Sequence, residues 1–326
     1  MHADLAARLI DADTMRRLTA LADLDPALVV DDFSTPQAAA ALNTAEVIVS
    51  CWGCPPLTED VLAAAPRLRA VIHAAGSVKH HITDACWRRG IEVTSAAWAN
   101  ARPVAEYTVA LVLLANKDVW RIREDYRNRR AAHDWQAAYA STGNYRRTVG
   151  IVGASRIGRR VLELLRAHDL LLLLHDPYLR PGEAERLGAH AVGLDELCAR
   201  SDVVSVHAPE LPATQHLISR DRLAMMPTGS TLINTSRGSL IDQQALTDEL
   251  SSGRLNAVLD VTVPEVLPPD SPLYDLPNVL LTPHIAGSLG NELHRMAAAA
   301  TDELERYVTG RPFAHPVTAE EWERSA

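Results

Sequence analysis

Apolar and polar positions follow two rhythms along the first hundred residues of the chain. Short continuous apolar runs are typical of strands buried on both faces, whereas apolar residues three or four positions apart are typical of helices. The pattern predicts helices over 5–21, 36–42 and 59–65, and a further helix that ends near Trp87. It predicts strands over 27–30, 47–50, 70–73 and 91–94.

The same alternation continues towards the C-terminus. Residues 101–125 are predicted to form one long helix, which is buried because it is apolar on almost every side. Strands are predicted over 149–152, 170–174, 203–206, 231–234, 255–259 and 279–281, with a helix over 241–250 and short helices within 181–199. This order of elements predicts an α/β fold in which parallel sheets are covered by helices on both faces.

The chain opens on a helical pattern, although domains of this class usually open on a strand. Two interpretations are open. Either a strand precedes this sequence, or the first domain is built with one strand fewer.

A glycine-containing turn, Gly153 to Gly158, joins the predicted strand 149–152 to a helical pattern. Strand, glycine turn and helix in this order are typical of a dinucleotide-binding unit, in which the helix N-terminus binds the pyrophosphate. Ser155 occupies the place of the second glycine, so it must fit beside the pyrophosphate or donate to it. Asp176 follows the next strand, where a carboxylate accepts hydrogen bonds from the adenosine ribose and repels a 2′-phosphate. The sequence therefore favours NAD over NADP, although nearby Arg180 softens that preference.

Composition narrows the classes of partner. The chain has 326 residues, enough for two domains, and 32 basic against 41 acidic residues give it a net charge of −9. Because no basic block or long apolar segment stands out, neither nucleic acid nor a membrane is an expected partner. The acidic, amphipathic N-terminus has no hydrophobic signal core, so a cytoplasmic location is expected.

Four cysteines predict no disulfide framework. Cys51 and Cys54 have the spacing of a redox dithiol or half a zinc site, but no second ligand pair follows and the motif does not open a helix. We therefore expect strand-end cysteines and no metal site, with a thiol-redox role as an open alternative.

Arg237, Glu265 and His284 each lie at or just past the end of a predicted strand, in segments that resemble a known family. The segments NTSRGSLID (234–242), LDVTVPE (259–265) and LTPHIAG (281–287) are similar to signatures of the D-isomer-specific 2-hydroxyacid dehydrogenases. VAEYTVALVLL (104–114) and TVGIVGASRIGR (148–159) resemble the crossing helix and cofactor turn of that family.

The resemblance implies a role for each of the three. Arg237 corresponds to the arginine that binds the carboxylate and carbonyl of a 2-oxo acid, for which a guanidinium fork is well shaped. His284 corresponds to the general acid/base, and Glu265 to its carboxylate partner, which favours imidazolium and fixes the tautomer. Val266 stands where many relatives have proline.

The resemblance also implies contacts for other residues. Substrate-binding positions are Gly76, Ser77 and Val78, whose loop holds the carboxylate, together with Asn100 at the hinge and Arg237. Cofactor-binding positions are Gly153, Ser155, Arg156, Ile157, Gly158, Asp176, His207, Pro209, Thr214, Thr235, Ser236, Asp260 and Gly287, with Asp260 near the nicotinamide carboxamide.

The family architecture implies two doubly wound parallel-sheet domains. A Rossmann NAD-binding domain over 100–285 would be inserted into a flavodoxin-like substrate domain formed by 1–99 and 286–326, with a homodimer formed through the insert.

The expected activity is NAD-dependent oxidation of a small D-2-hydroxy acid or reduction of its 2-oxo acid. A formate-dehydrogenase-like role is disfavoured, since those relatives have glutamine in place of Glu265. A phosphite-dehydrogenase-like enzyme and a non-catalytic, NAD-sensing co-repressor-like protein stay open as alternatives.

Overall fold

Strands and helices alternate as the hydrophobic pattern predicts in the computed structural model, which describes residues 1–324. The chain forms two units. The first contains Met1–Pro103 and the chain from Ser288 onward, and the second contains Val104–Gly287. The second unit is therefore inserted between two segments of the first. Which unit binds the substrate and which the cofactor stays a prediction.

The N-terminal segment of the first unit supplies five helices and three strands. They are α1 (Ala3–Leu9), α2 (Ala12–Leu21), α3 (Pro36–Thr44), β1 (Val47–Ser50), α4 (Glu59–Ala64), β2 (Ala70–His73), α5 (Asp84–Arg88) and β3 (Glu92–Ser95).

The insert begins within helix α6 (Ala97–Asn116) and contains seven strands. Its helices are α7 (Val119–Arg129), α8 (Trp135–Ala138), α9 (Arg156–Leu165), α10 (Glu183–Arg186), α11 (Leu194–Arg200), α12 (Arg220–Met225) and α13 (Gln243–Ser251). Its strands are β4 (Thr148–Val152), β5 (Leu171–His175), β6 (His190–Ala191), β7 (Val203–Val206), β8 (Thr231–Asn234), β9 (Asn256–Leu259) and β10 (Val279–Leu281).

The C-terminal segment returns to the first unit with α14 (Leu293–Val308), β11 (Pro316–Val317) and α15 (Ala319–Arg324). Single 3₁₀ turns cover Pro212–Thr214, Gly238–Leu240, Pro272–Tyr274 and Gly290–Glu292. Within residues 1–324, each helix is too short or too polar to cross a membrane.

The sheet of the second unit is parallel, in the order β10-β9-β8-β7-β4-β5-β6. Successive strands are added on one side of β4 up to β6 and then on its other side from β7 onward. This switch point between β4 and β7 is where open α/β sheets form a ligand crevice. Alternate side chains of β4 enter different cores: Val149 and Ile151 pack with α6 and α9, whereas Val152 packs with residues of α11, α12 and α13. Both faces of the sheet are therefore covered, and the predicted doubly wound fold is confirmed.

The sheet of the first unit has the order β1-β2-β3-β11. The first three strands are parallel and the two-residue β11 is antiparallel to β3. Ile72 of β2 packs with α14 on one face, and its neighbour Val71 packs with residues of α4 and α5 on the other. The predicted α/β sheet with two covered faces is confirmed here as well, with one added antiparallel strand.

Three predicted elements are wrong. Residues 27–30 form no strand. The helix predicted over 5–21 is two helices, because the Asp11 side chain accepts a hydrogen bond from the Thr14 N–H at 2.8 Å and starts α2. The helix predicted over 101–125 ends at Asn116, since Asp118 adopts a left-handed conformation with φ of 52°. Its second part, α7, has no buried residue, so only the first part is a buried helix.

Gly150 of β4 provides a test of the packing between sheet and helix. A Cβ at this position would lie 2.4 Å from both Leu197 Cδ2 and Ser201 Oγ, which are fully buried at the end of α11. We expect Gly150→Ala to lower the free energy of unfolding by about 1–3 kcal/mol, because the overpacked core must shift. Urea denaturation measures this change. Gly193→Ala, at the open start of α11, is the matched control and should change it by less than about 0.5 kcal/mol; equal effects would contradict the packing explanation.

Candidate active site

Three neighbouring strands of the second unit end at the same level. Asn234, Leu259 and Leu281 are in register at the ends of β8, β9 and β10. Because carboxyl ends of parallel strands meet at one edge of a sheet, the segments that follow are brought together there. Arg237, Glu265 and His284 lie in these three segments.

His284 and Glu265 are in direct contact. The imidazole Nδ1 lies 2.6 Å from the Glu265 Oε1, and the two side chains are 45% and 68% exposed. A carboxylate accepts a hydrogen bond from Nδ1–H, so the contact assigns the proton of a neutral ring to Nδ1. The opposite nitrogen, Nε2, is then the one that can exchange a proton with a ligand.

The loop that carries His284 is held by Asp260. This carboxylate is 2% exposed and accepts hydrogen bonds from Thr282 Oγ1, Ile285 N–H and Ala286 N–H at 2.7–2.9 Å. The Asp260 carbonyl also accepts from His284 N–H at 2.9 Å, and His284 has a φ of 55°. Asp260 therefore shapes the left-handed turn that presents the imidazole. Its contact with a nicotinamide carboxamide stays a prediction.

Arg237 lies in a loop that packs against the loop of Glu265. A Cβ on Gly238 would lie 2.4 Å from the Thr262 carbonyl carbon, and the Thr262 hydroxyl donates to the carbonyl of Pro264 at 2.8 Å. The guanidinium Nη1 donates to the Ser236 carbonyl at 2.8 Å, and Nε lies 3.9 Å from Glu210 Oε2. The structure thus brings together the Glu265–His284 pair and the loops of Arg237 and Glu265. Sequence reasoning missed Glu210, whose position in a loop gave no signal.

The glycine turn has the geometry of a phosphate-binding turn. Gly153 has a φ of 101°, and a Cβ on Gly158 would lie 2.1 Å from the Gly153 carbonyl oxygen. Both positions therefore require glycine. Ser155 is the N-cap of α9: its hydroxyl accepts from the Gly158 N–H at 3.2 Å, which leaves the hydroxyl proton available to a ligand. Arg156 and Ile157 are the first two residues of this helix.

The end of β4 also touches the end of β7. A Cβ on Gly153 would lie 2.8 Å from His207 and Ala208 backbone atoms, so these strand ends meet at the switch point of the sheet. Close packing of a glycine turn against this crevice is what a dinucleotide requires. The residues of this turn therefore fit a dinucleotide cofactor.

Asp176 is tied to the glycine turn. Its carboxylate accepts from Ala154 N–H at 2.7 Å and from Tyr178 N–H at 2.8 Å. A carboxylate has about four acceptor sites, so it can still accept from both ribose hydroxyls.

Among the other predicted cofactor residues, Pro209 and Thr214 follow β7 and Thr235 and Ser236 follow β8, and their polar groups are held locally. The Thr214 hydroxyl donates to the Pro209 carbonyl, and the Ser236 hydroxyl donates to the carbonyl of Val206. Thr235 is hydrogen-bonded to Thr108 of α6. Gly287 ends the second unit. Their contacts with a cofactor stay predictions.

His207 is fully buried and hydrogen-bonded through Nε2 to the Ser205 hydroxyl at 2.9 Å. Burial alone lowers its pKa to about 3, because the surrounding core does not solvate an imidazolium.

In the first unit, the predicted substrate loop is a tight turn after β2. The Lys79 N–H donates to Ser77 Oγ at 3.3 Å, and the Ile82 N–H donates to the Val78 carbonyl at 3.0 Å. Asn100 lies beside this turn: its Oδ1 accepts from Ser288 N–H, and its Nδ2 is 3.4 Å from where a Cβ on Gly76 would be. Asn100 thus connects Gly76 with the point at which the chain re-enters the first unit.

The two cysteines of the C-x-x-C motif lack the lowered thiol pKa that is typical of a redox-active pair. Cys51 is buried and Cys54 is half-buried, and burial raises the pKa of each thiol to about 11. Redox-active dithiols usually have a lowered pKa, because the thiolate is the reactive form. Their burial and raised pKa therefore favour a structural role for both cysteines.

Comparison with known proteins identifies a family. Residues 109–286 match the family model for the NAD binding domain of D-isomer specific 2-hydroxyacid dehydrogenases. The chain is 36% identical over 248 residues to D-3-phosphoglycerate dehydrogenase of Mycobacterium tuberculosis, which covers 76% of the chain and 46% of that protein. The chain therefore spans about half the length of that relative.

Similarity to a shorter relative extends over nearly the whole chain. Glyoxylate/hydroxypyruvate reductase B of Pectobacterium atrosepticum is 34% identical over 314 residues, which cover 94% of this chain and 92% of that protein. Among solved structures, apo D-mandelate dehydrogenase of Rhodotorula graminis is 25% identical with a TM-score of 0.79, covering 96% of this chain and 95% of that chain.

His207 predicts a pH dependence of stability. His207 takes up a proton near pH 6.5 in the unfolded state but only near pH 3 in the folded state. Its contribution to the free energy of unfolding is therefore complete above about pH 6.5 and is lost as pH falls towards 3. His207 should contribute about 1.4 kcal/mol per pH unit in this window, and His73 and His81, whose pKa burial also lowers, should add to the slope. Urea unfolding at pH 7 and pH 5 measures the slope for the wild type and for His207→Gln, which removes the titrating group. A variant that kept the whole wild-type slope would contradict this assignment.

Proposed function

Because the chain belongs to the D-isomer-specific 2-hydroxyacid dehydrogenase family, we propose that it interconverts a small D-2-hydroxy acid and its 2-oxo acid with NAD. The observation that carries this proposal is the 2.6 Å contact between His284 Nδ1 and Glu265 Oε1, with Nε2 on the opposite side of the ring. A histidine held in this way can serve as a general acid/base.

In the proposed reaction, the side chains of the second unit have separate tasks. The Arg237 guanidinium binds the planar carboxylate and carbonyl of the 2-oxo acid through parallel N–H groups. As imidazolium, His284 donates its Nε2 proton to the carbonyl oxygen during reduction, and as the neutral ring it takes the hydroxyl proton on Nε2 during oxidation. Glu265 stabilises the imidazolium by its charge and fixes the ring orientation through Nδ1. In the first unit, backbone N–H groups of Gly76, Ser77 and Val78 are proposed to hold the substrate carboxylate.

The proposed cofactor site is the glycine turn of the second unit. When bound, the nicotinamide of NAD supplies or accepts the hydride. The N-terminus of α9 and the Ser155 hydroxyl would hold the pyrophosphate, and Asp176 would accept from the adenosine ribose. His207, Thr235 and Asp260 follow the ends of β7, β8 and β9, which supports their proposed positions along the crevice.

The relatives indicate the class of substrate. Their names refer to 3-phosphoglycerate, glyoxylate, hydroxypyruvate and mandelate, all of which are 2-hydroxy or 2-oxo acids or their phosphorylated relatives. We propose a small 2-oxo acid as substrate. Glu265, which formate-dehydrogenase-like relatives replace by glutamine, supports this class over formate.

A homodimer formed through the second unit is also proposed. Its helix α7 has no buried residue, and Tyr126 on it is 63% exposed and lies 5.7 Å from the ring of Trp135. Exposed aromatic groups of this kind are enriched in subunit interfaces. Light scattering after gel filtration distinguishes a dimer from a monomer.

A panel of 2-oxo acids tests the proposed activity, with NADH oxidation followed at 340 nm for glyoxylate, hydroxypyruvate, pyruvate and phenylglyoxylate. Turnover of one or more supports the proposal. If none is turned over but NADH still binds, the co-repressor-like alternative is favoured, and NAD reduction by phosphite would instead favour the phosphite-dehydrogenase-like alternative.

His284→Asn should lower kcat about 10²- to 10⁴-fold, because it removes the imidazole that transfers the proton. Glu265→Gln should cause a smaller loss, since an amide still accepts the Nδ1–H hydrogen bond but has no charge. Steady-state kinetics with a saturating 2-oxo acid measure both. The matched control is His294→Asn, which removes another imidazole that is 45% exposed and paired with a carboxylate, Asp11. An equal loss of kcat in His284→Asn and His294→Asn would contradict the assigned role.

Cofactor preference is tested at Asp176. We expect wild-type kcat/KM to be higher with NADH than with NADPH, because the carboxylate repels a 2′-phosphate. Asp176→Ser should raise kcat/KM with NADPH relative to NADH by about 10- to 100-fold, as expected when a close like charge is removed. A wild type that uses both cofactors equally would contradict the NAD assignment.

A further inference from the structure

A buried polar cluster lies at the carboxyl ends of β1 and β2. It consists of Ser50, His73 and His81, each 2% exposed, and is called the Ser–His–His cluster below. The Ser50 hydroxyl lies 2.9 Å from His73 Nδ1 and 3.4 Å from His81 Nε2. The two imidazole rings lie 4.3 Å apart between centroids.

Both imidazoles of the cluster are neutral at physiological pH. Burial, together with neighbouring positive charges, lowers the pKa of His81 to about 4 and that of His73 well below its usual value. A neutral imidazole has one N–H donor and one acceptor nitrogen. Because the Ser50 hydroxyl has a single proton, it can donate to one ring only and must accept from the other. The tautomers of His73 and His81 are therefore coupled through Ser50.

The cluster encloses the base of the predicted substrate loop. His73 is the last residue of β2, immediately before the loop, and His81 follows it. The His81 backbone closes the turn by donating to the Val78 carbonyl at 3.3 Å, and its carbonyl accepts from Leu57 N–H at 2.8 Å. The Ser50 carbonyl accepts from the Ala74 N–H at 2.7 Å. Every member of the cluster thus contacts the chain at one end of the loop.

His73 Nε2 is buried and has no hydrogen-bond partner within residues 1–324. A backbone interaction with Ser77 opposes part of the lowering of the His73 pKa, so the Ser77 main chain lies beside this ring. A buried polar atom without a partner is costly, so a small movement of the loop that brings Ser77 to Nε2 would be favourable. A hydrogen bond from His73 Nε2 to the Ser77 main chain requires the His73 tautomer with its proton on Nε2. In that tautomer the Ser50 hydroxyl donates to His73 Nδ1.

We infer that Ser50, His73 and His81 are positioning residues that set the conformation of the Gly76–Val78 loop and thereby the affinity for the substrate carboxylate. This inference rests on the proposed function, since it is that proposal which assigns the carboxylate to the loop. The cluster itself does not touch substrate.

Steady-state kinetics of Ser50→Ala test the inference. Loss of the bridging hydroxyl should raise KM for the 2-oxo acid about tenfold and leave kcat and KM for NADH within about twofold. Thr301→Ala is the control in the same unit, because its buried hydroxyl donates to the Ala297 carbonyl of its own helix; it should leave all three constants unchanged. Ser205→Ala removes the equivalent Ser–His bond of the second unit, and should raise KM for NADH instead.

Two variants of His81 test the inference independently if Ser50→Ala folds poorly. His81→Gln retains an N–H donor for Ser50 and should keep KM for the 2-oxo acid within about threefold of wild type, whereas His81→Leu should raise it about tenfold. A single KM shared by wild type, Ser50→Ala and His81→Leu would overturn the inference.

Hydrogen exchange gives a readout that does not depend on activity. The amides of Ala74, His81 and Ile82, whose hydrogen bonds close the loop, should exchange about tenfold faster in Ser50→Ala than in Thr301→Ala. If the wild type reduces no 2-oxo acid, the proposed function fails, while faster exchange would still support the positioning role. If the wild type is active but the exchange rates of both variants are equal, only the inference fails.

Discussion

The buried carboxylate of Asp260 is the group on which the candidate site depends most directly. It accepts hydrogen bonds from one hydroxyl and two backbone N–H groups, all of which belong to the loop after β10. Burial of an ionised carboxylate is costly unless its oxygens are well hydrogen-bonded. The loop must therefore close around Asp260, and the left-handed turn at His284 is part of that closure. Contact with Glu265 then follows from where the turn places the imidazole.

A second constraint comes from glycine positions at the same edge of the sheet. A side chain at Gly238 would collide with the backbone of Thr262, and one at Gly158 would collide with the carbonyl of Gly153. The first contact joins the loops of Arg237 and Glu265, and the second forms the turn proposed for the pyrophosphate. Each depends on backbone approaching backbone, which no larger residue permits.

Much of the fold could be predicted from the sequence because continuous apolar runs mark buried parallel strands. Residues 47–50, 70–73, 203–206, 231–234 and 279–281 form strands with the predicted limits. Residues 27–30 have a similar composition but no strand partner, and Val29 packs against a core without entering a sheet. The helix breaks at Asp11 and Asp118 were missed because apolar periodicity continues across them. The chemical pairing of His284 with Glu265 was expected from family resemblance, whereas the Asp260 contacts, Glu210 and the Ser–His–His cluster arise from the packing of segments far apart in sequence.

The nearness of Glu210 to Arg237 has a consequence for turnover. Their charged groups are 3.9 Å apart, and both side chains are partly exposed to solvent. If Arg237 binds a substrate carboxylate as proposed, the anion meets a guanidinium whose charge Glu210 already partly offsets, so the gain in Coulomb energy is smaller than for a bare guanidinium. The same offset would weaken the attraction between Arg237 and a product anion.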